Sequence, residues 1–316
     1  MGEVESVSKL SDFLLELYHD ASECTSDEFR LRVLRNLQRF IPFDFGVWGG
    51  GRADGRLVTD LTVLNQSEAL LGDWGTVAEY DAFCDLTLNR LGATARFDDV
   101  PEYRASLAYN EHWRQFNASN MMATILGERT DGYVSFVGLC ADDRPRTFSD
   151  RERRFKQMLM PHLSQALRMN RELWIRRAAM EDEAIALVDQ QGWVLCTQGP
   201  FDDFARQEWR GNVAHLPAVV MGVLKRGNRW RGELLDARMS RFGSSYVVHL
   251  SVHSTLSGLS PREREVAGLF ASGMTNKQVA RALGTSPSTV RNQVVRIYEK
   301  LGISSKAELA GFVGGM

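Results

Sequence analysis

The run Leu259-Ser260-Pro261-Arg262-Glu263-Arg264-Glu265-Val266, continued by Gly273-Met274-Thr275-Asn276-Lys277-Gln278-Val279-Ala280 and by Gly284-Thr285-Ser286-Pro287-Ser288-Thr289-Val290-Arg291-Asn292, decides the fold of one end of this 316-residue chain. Ser260 as N-cap, Pro261 at the first helical position and Glu263 in the first turn predict a helix start, and Gly273 predicts its end. Thr275 or Asn276 caps a second helix, Lys277 to Leu283, which carries Val279, Ala280 and Leu283 on one face and stops at Gly284. The turn Gly284-Thr285-Ser286 leads into a third helix from about Pro287 to Leu301. Two short helices with apolar faces, joined by a turn of a few residues, make a helix-turn-helix arrangement.

In the third helix Val290, Val294, Ile297 and Leu301 repeat at three- and four-residue spacing and must face inward. The opposite side then carries Ser288, Thr289, Arg291, Asn292, Val295 and Arg296, a mixture of fork-shaped cation, amide and small apolar group that suits base edges in a major groove. Asn276, Lys277, Ser286 and Ser288 at the helix starts suit phosphate. From Leu259 onward eight basic side chains face four acidic ones, a local charge of +4, whereas the whole chain carries −2 and residues 1 to 258 therefore −6. An acidic body with a basic tail is the distribution expected if only the tail approaches DNA. A domain that merely mediates protein contact is the competing reading, and the agreement of caps, turn and polar face favours DNA.

The tail from Leu259 to Lys300-Leu301-Gly302-Ile303 closely resembles the DNA-binding domain of the LuxR/GerE family. The resemblance implies base-facing positions for Arg291, Asn292 and Val295, and backbone-facing positions for Lys277, Thr289 and Lys300. Many relatives carry a basic or polar residue where this chain has Val295, so half-site preference does not transfer. It also implies a dimer through the last helix, Lys306 to Val313, where Ala307, Ala310 and Gly311 permit close approach. The expected partners are double-stranded DNA bearing an inverted repeat, a second copy of the chain, a small-molecule effector and RNA polymerase, with no membrane.

Upstream, apolar residues at helical spacing predict two amphipathic helices between Val7 and Arg39, ended by Pro42. Residues 43 to 64 read as a hairpin around a Gly49-Gly50-Gly51 turn region. Residues 66 to 118 are helical and aromatic, and residues 122 to 141 read as two strands turning at Asp131-Gly132. Ser149-Asp150 starts a long helix that carries Leu159, Leu163, Leu167 and Leu173, is kinked at Pro161 and runs to about Glu183. This order resembles a GAF-like sensor. The hairpin Ala184 to Leu195 and the strand Ser245 to Leu250 resemble a reduced PAS-like unit, although Pro200 to Arg231 gives no strand pattern. The expected fold class is α+β, a GAF/PAS-like α/β sensor region followed by an all-α four-helix domain. The expected domains span residues 1–172, 173–253 and 254–316, with a polar linker at 252–258.

Aromatic residues suit the walls of a cavity for an apolar or aromatic effector, and Trp48, Trp74, Tyr80, Phe83, Asp85, Tyr103, His112 and Trp113 are the candidate ligand-binding residues. The binding domain of acyl-homoserine-lactone receptors resembles this body in its helix and sheet mixture. Their tryptophan, tyrosine and aspartate-proline pattern is met here by Trp74, Tyr80 and Asp85 with Leu86 in place of proline, so a lactone is disfavoured. Receiver domains need an acidic pair, an acceptor aspartate and a later lysine; Asp60 imitates only the acceptor. The sequence holds no catalytic motif, no paired metal ligands and no C-x-x-C among Cys24, Cys84, Cys140 and Cys196, so neither an enzyme nor a cofactor is expected. With no long apolar segment, a cytoplasmic location is expected. Control by a protein partner, or by a cofactor in the PAS-like unit, is the alternative. In either case the long helix is expected to pass the signal within a homodimer.

Overall fold

The computed structural model describes residues 2–128, 132–142, 147–179, 183–211, 213–252 and 259–313, with side chains for all of these except 2–7 and 311–313. The expected turn residue Asp131 and most of the 252–258 linker lie outside the described residues. The chain divides into a large unit, Met1–Glu233 with Ala237–Leu250, and a small one containing Ser251–Met316.

The large unit opens with α1 (Gly2–Glu23) and α2 (Ser26–Leu37), the latter capped by Thr25. Phe13, Leu17 and Ala21 of α1 and Phe29, Val33, Leu34 and Leu37 of α2 follow helical spacing, so each helix buries one stripe. A five-stranded sheet follows, built from β1 (Phe45–Arg52), β2 (Leu57–Leu64), β3 (Thr94–Arg96), β4 (Asn120–Gly127) and β5 (Tyr133–Ala141), in the order β2-β1-β5-β4-β3. Its neighbouring strands all pair antiparallel. Between β2 and β4 the chain runs through α3 (Ala69–Gly72), α4 (Ala82–Leu88), α5 (Leu107–Glu111) and several 3-10 turns, including Trp74–Thr76 and Ala78–Tyr80. The short strand β3 is an element that the helical reading of residues 66 to 118 did not contain.

The helix α6 (Asp150–Ala178) starts at a capping box in which the Ser149 hydroxyl accepts from Glu152 N. It continues through Pro161 and ends at Ala178 rather than Glu183. Leu159, Leu163, Ala166 and Leu167 pack with α1 and α2 against one face of the sheet. The leucine spacing is therefore satisfied within one chain, and the stripe is no argument for a helix pair between protomers. On the same face Lys156 Nζ donates to Thr124 Oγ1 at 2.6 Å, and burial pulls its pKa well below the ordinary lysine value.

A second five-stranded sheet comprises β6 (Ala184–Val188), β7 (Val194–Gln198), β8 (Arg229–Arg231), β9 (Leu235–Phe242) and β10 (Ser245–Val252), ordered β7-β6-β10-β9-β8. The two sheets share one strand order, second-first-fifth-fourth-third. The segment without strand pattern holds α7 (Phe201–Trp209) and α8 (Ala218–Gly227). The last turns of α6 join the two sheets. Ile175 enters the core of the second, Trp174 lies 5.3 Å from the Phe242 ring, and Arg171 reaches back to Asp60 of β2.

The glycine run Gly49-Gly50-Gly51 lies inside β1 and not at the turn, which falls at Ala53–Arg56. A Cβ at Gly49 would stand 2.5 Å from the Asp60 carbonyl oxygen, and one at Gly51 would stand 1.9 Å from that of Leu57. The glycines thus admit the close approach of β2 at a register shift between Gly50 and Gly51.

The small unit is all helical, with α9 (Pro261–Ala271), α10 (Asn276–Ala282), α11 (Pro287–Leu301) and α12 (Lys306–Val313). Its core is Val266, Ala267, Val279, Ala280, Val290, Val294, Ile297 and Leu309. Fold class and helix positions agree with the sequence-based expectation to within a residue or two.

Candidate functional site

Each helix of the small unit begins at a side-chain cap. Ser260 and Glu263 form a capping box on α9, Thr275 and Gln278 form one on α10, and the Ser286 hydroxyl accepts from Thr289 N at the start of α11. These caps fix the turn between α10 and α11, and Gly284, at φ +62, supplies the left-handed residue it needs. Val290, Val294 and Ile297 are buried, so α11 can turn only one side outward. Ser286, Ser288, Thr289, Arg291, Asn292, Val295 and Arg296 are all exposed on that side or at its start, as is Lys277 on α10. Asn276 is half-buried, its amide oxygen turned inward without a partner. Lys300, near the end of α11, is exposed as well and is engaged in an ion pair. Its ammonium donates to both carboxylate oxygens of Glu263, at 2.8 and 2.7 Å, tying the end of α11 to the start of α9. That bond, with the Ser260 backbone and hydroxyl, draws the Glu263 pKa down to about 2. On α12, Leu309 is buried and Ala307 exposed, while Lys306 donates to the Met274 carbonyl at 2.8 Å and lies 4.4 Å from the Phe270 ring.

The second site lies on the face of the first sheet opposite α1, α2 and α6. Strand alternation sends Phe45 and Val47 of β1 to this face and Trp48 to the helical one, where it packs 5.8 Å from Phe29. Trp48 is thus removed from the ligand-binding set. Met121, Ala123 and Ile125 of β4 and Phe136 and Gly138 of β5 floor an apolar cavity of about 90 Å³, roofed by Trp74, Phe83 and Trp113. Gly138 is required there, since a Cβ would approach Val47 to 2.8 Å.

The one carboxylate at this cavity belongs to Asp81, a residue the sequence reading missed. It is 1% exposed and caps α4, accepting from Phe83 N at 3.0 Å and Cys84 N at 3.2 Å. It also accepts from Trp74 Nε1 at 2.9 Å, Tyr103 Oη at 2.8 Å and Trp113 Nε1 at 3.2 Å. Three of the expected ligand residues therefore converge on one buried charge. The signal that marks it is an aspartate directly before a short helical run, the N-cap preference. Two other expectations are corrected: Tyr80 is 63% exposed at the end of a 3-10 turn, and Asp85 points outward from α4 to pair with Arg56. His112 is buried against Trp113 and Phe116 but is not among the cavity walls, and burial lowers its pKa. Burial and then Asp81 push the Cys84 thiol up to about 12, which leaves it an uncharged wall and not a nucleophile.

Asp60, the imitation of a phosphoacceptor, is buried and neutralised. Arg30 binds it through two nitrogens at 2.9 Å and Arg171 through one at 2.8 Å, which holds its pKa below the usual carboxylate value against the opposing effect of burial. Among the described residues no cluster of three or more histidine, cysteine, aspartate or glutamate side chains can hold a metal, and no helix is long and apolar enough to cross a membrane.

Residues 257–313 match the profile of the bacterial regulatory proteins of the luxR family. The small unit is a LuxR/GerE-type helix-turn-helix domain. Among curated proteins, the chain is 39% identical over 79 residues to the probable transcriptional regulatory protein SgaR of Hyphomicrobium methylovorum, covering 23% of this chain and 37% of SgaR. It is 49% identical over 110 residues to the probable transcriptional regulatory protein NarL of Mycobacterium tuberculosis, covering 29% of this chain and 51% of NarL. The chain thus spans between about a third and a half of the length of these two relatives. Among solved structures, Escherichia coli SdiA aligns over 96% of this chain and 97% of its own at 11% identity and a TM-score of 0.38. The ligand-binding domain of Pseudomonas aeruginosa VqsR aligns over 52% of this chain and 97% of its own at 14% identity and a TM-score of 0.41.

Proposed function

We propose that this protein is a sequence-specific, DNA-binding transcription regulator whose activity is set by a small apolar or aromatic effector held in the cavity of its first sheet. The observation that carries the DNA-binding half is the division of α11. Its apolar stripe is consumed by the core, and the remaining face presents Arg291, Asn292, Val295 and Arg296 together. A helix exposing a guanidinium, an amide and a small apolar group in register can read donor, acceptor and methyl patterns on base edges. Backbone N–H groups and hydroxyls at the starts of α10 and α11 hold the adjacent phosphates.

Two copies are needed to read an inverted repeat, and the α12 face around Ala307 is the surface we assign to that contact. The assembled dimer on DNA then offers its acidic bodies to RNA polymerase or to an effector-dependent rearrangement. No catalytic role is assigned to any residue.

The effector half rests on Asp81. The cavity walls are apolar, and this carboxylate is the one charged group turned toward them. About 90 Å³ is less than the roughly 150 Å³ that accommodates benzene in an engineered cavity. An effector therefore binds by displacing an indole from Asp81, and the 3.2 Å bond from Trp113 is the longest of the three side-chain contacts. Binding is thereby coupled to movement of the segment between β3 and β4, next to strands that pack on α6.

The test is selection of duplexes from a random pool by the full-length protein, followed by binding measured across salt concentrations. The proposal expects enrichment of an inverted repeat with half-sites about one helical turn apart and a specific complex far tighter than that with the starting pool. Recovery of unenriched sequence with uniform affinity would overturn it.

A further inference from the structure

We infer that the effector cavity has a second, cationic subsite at the β1–β2 hairpin, and that the effector is an apolar carboxylate whose acid group is taken by Arg56, with Arg52 beside it. The inference rests on the effector reading above and adds a chemical class to it.

A smaller cavity of about 50 Å³ adjoins the first. Val58, Trp74, Cys84, Ile125 and Phe136 line both, so the two lie side by side. Asp81 belongs to the lining of the first. In the lining of the second, Arg52 and Arg56 are the charged residues. Each guanidinium side chain is about one-fifth exposed, whereas the carboxylates paired with them, Asp54 and Asp85, are 69% and 50% exposed. Ion pairs to such wet partners are weak and exchangeable. Arg56 donates to the Ala78 carbonyl and to Asp85, which engages two of the five donors of its fork.

Backbone geometry gives an independent pointer. Arg56 sits at φ +50, a left-handed conformation that a long side chain adopts at a cost, and such positions concentrate at binding sites. A residue chosen for the turn alone would be glycine or asparagine; an arginine there brings its charge to the lining of the smaller cavity. A planar guanidinium matches a planar carboxylate through paired hydrogen bonds. Much of the rest of the lining, including Leu57, Leu88, Val134 and Phe136, is hydrocarbon, which suits an apolar body attached to the acid group. Arg52 also stacks 4.5 Å from the Trp193 ring of the second sheet's hairpin, so an anion drawn to this cavity meets a residue shared by both sheets.

The complementary ligand has a hydrogen-bond donor for Asp81 at one end, an apolar or aromatic body, and a carboxylate at the other end. A probe of that form is 3-(4-hydroxyphenyl)propanoate, and its methyl ester is the matched control. Titration calorimetry on the full chain is expected to show the acid binding at least about tenfold more tightly than the ester. Arg56→Met is expected to remove that preference, so that acid and ester bind the variant alike. Equal affinity for acid and ester in the unsubstituted protein would overturn the carboxylate assignment while leaving the effector cavity standing, and needs no variant to fold. An Arg56→Met protein that keeps the preference would do the same. Failure of both compounds to bind, in the unsubstituted protein and in a Trp113→Ala variant with an enlarged cavity, would overturn the cavity reading itself and the inference with it.

Discussion

Replacing Asp81 by alanine removes one carboxylate that collects five hydrogen bonds: two backbone amides of α4, two indoles and a phenol. Each buried donor left without a partner costs about 1–3 kcal/mol, so the three side-chain donors alone set a range of about 3–9 kcal/mol. Loss of the N-cap adds about 1 kcal/mol. The lower part of the range applies, because donors that share one acceptor are not additive and the indoles can turn toward the space vacated. We expect Asp81→Ala to destabilise the large unit by about 4 kcal/mol, a large fraction of the total stability of an ordinary domain. Asp81→Asn retains an acceptor oxygen for the helix cap, but it turns an amide donor toward groups that already donate, and it should lose about half as much. Urea unfolding followed by tryptophan fluorescence and by far-ultraviolet circular dichroism measures both. An Asp81→Ala protein within about 1 kcal/mol of the unsubstituted one would refute the reasoning, since three buried donors would then have been orphaned at no cost.

The remaining predictions concern charges elsewhere in the two units. Asp60→Asn leaves Arg30 and Arg171 buried without their shared counter-charge and should cost about 3–5 kcal/mol in the same unfolding assay. Glu263 has a folded-state pKa of about 2 against an ordinary 4.5, so its contribution to the small unit is complete above pH 4.5 and is lost as the pH falls toward 2; thermal melts across that window should show the loss, and Lys300→Met should flatten it. Lys277→Ala should weaken binding to all duplexes alike and reduce the slope of log affinity against log salt by about 1, as measured by fluorescence anisotropy.

The legible and illegible parts of the fold divide by range. The small unit was legible because caps are local: Ser260-Pro261, Thr275 and Ser286 each mark a helix start within four residues of sequence, and the apolar spacing of Val290, Val294 and Ile297 needs no partner to be recognised. The first sheet was legible in four of its five strands, β3 being the exception, yet which face each aromatic takes depends on register. A shift of one residue separates Val47, over the cavity, from Trp48, under the helices. The same limit explains the glycines of β1, which signal close approach of a neighbouring strand as readily as a turn. Asp81 and Asp85 lie one helical turn apart on α4, and only the cap position of the first turns its carboxylate inward. The leucines of α6 meet the same limit, since their spacing specifies an apolar stripe and not the identity of what covers it. The common strand order of the two sheets, and the two helices within the second, arise from long-range pairing that local patterns do not encode.

The central claim is that the exposed face of α11 reads DNA sequence, and Arg291 is the residue on which it bears most directly. The measurement is fluorescence anisotropy of the full chain and of Arg291→Ala on the selected operator and on a scrambled duplex of equal length, at one moderate salt concentration. The account predicts that the variant loses about 1–3 kcal/mol of discrimination between the two duplexes while its binding to the scrambled duplex changes little. An Arg291→Ala protein that distinguishes operator from scrambled DNA as well as the unsubstituted chain would contradict the assignment of that face.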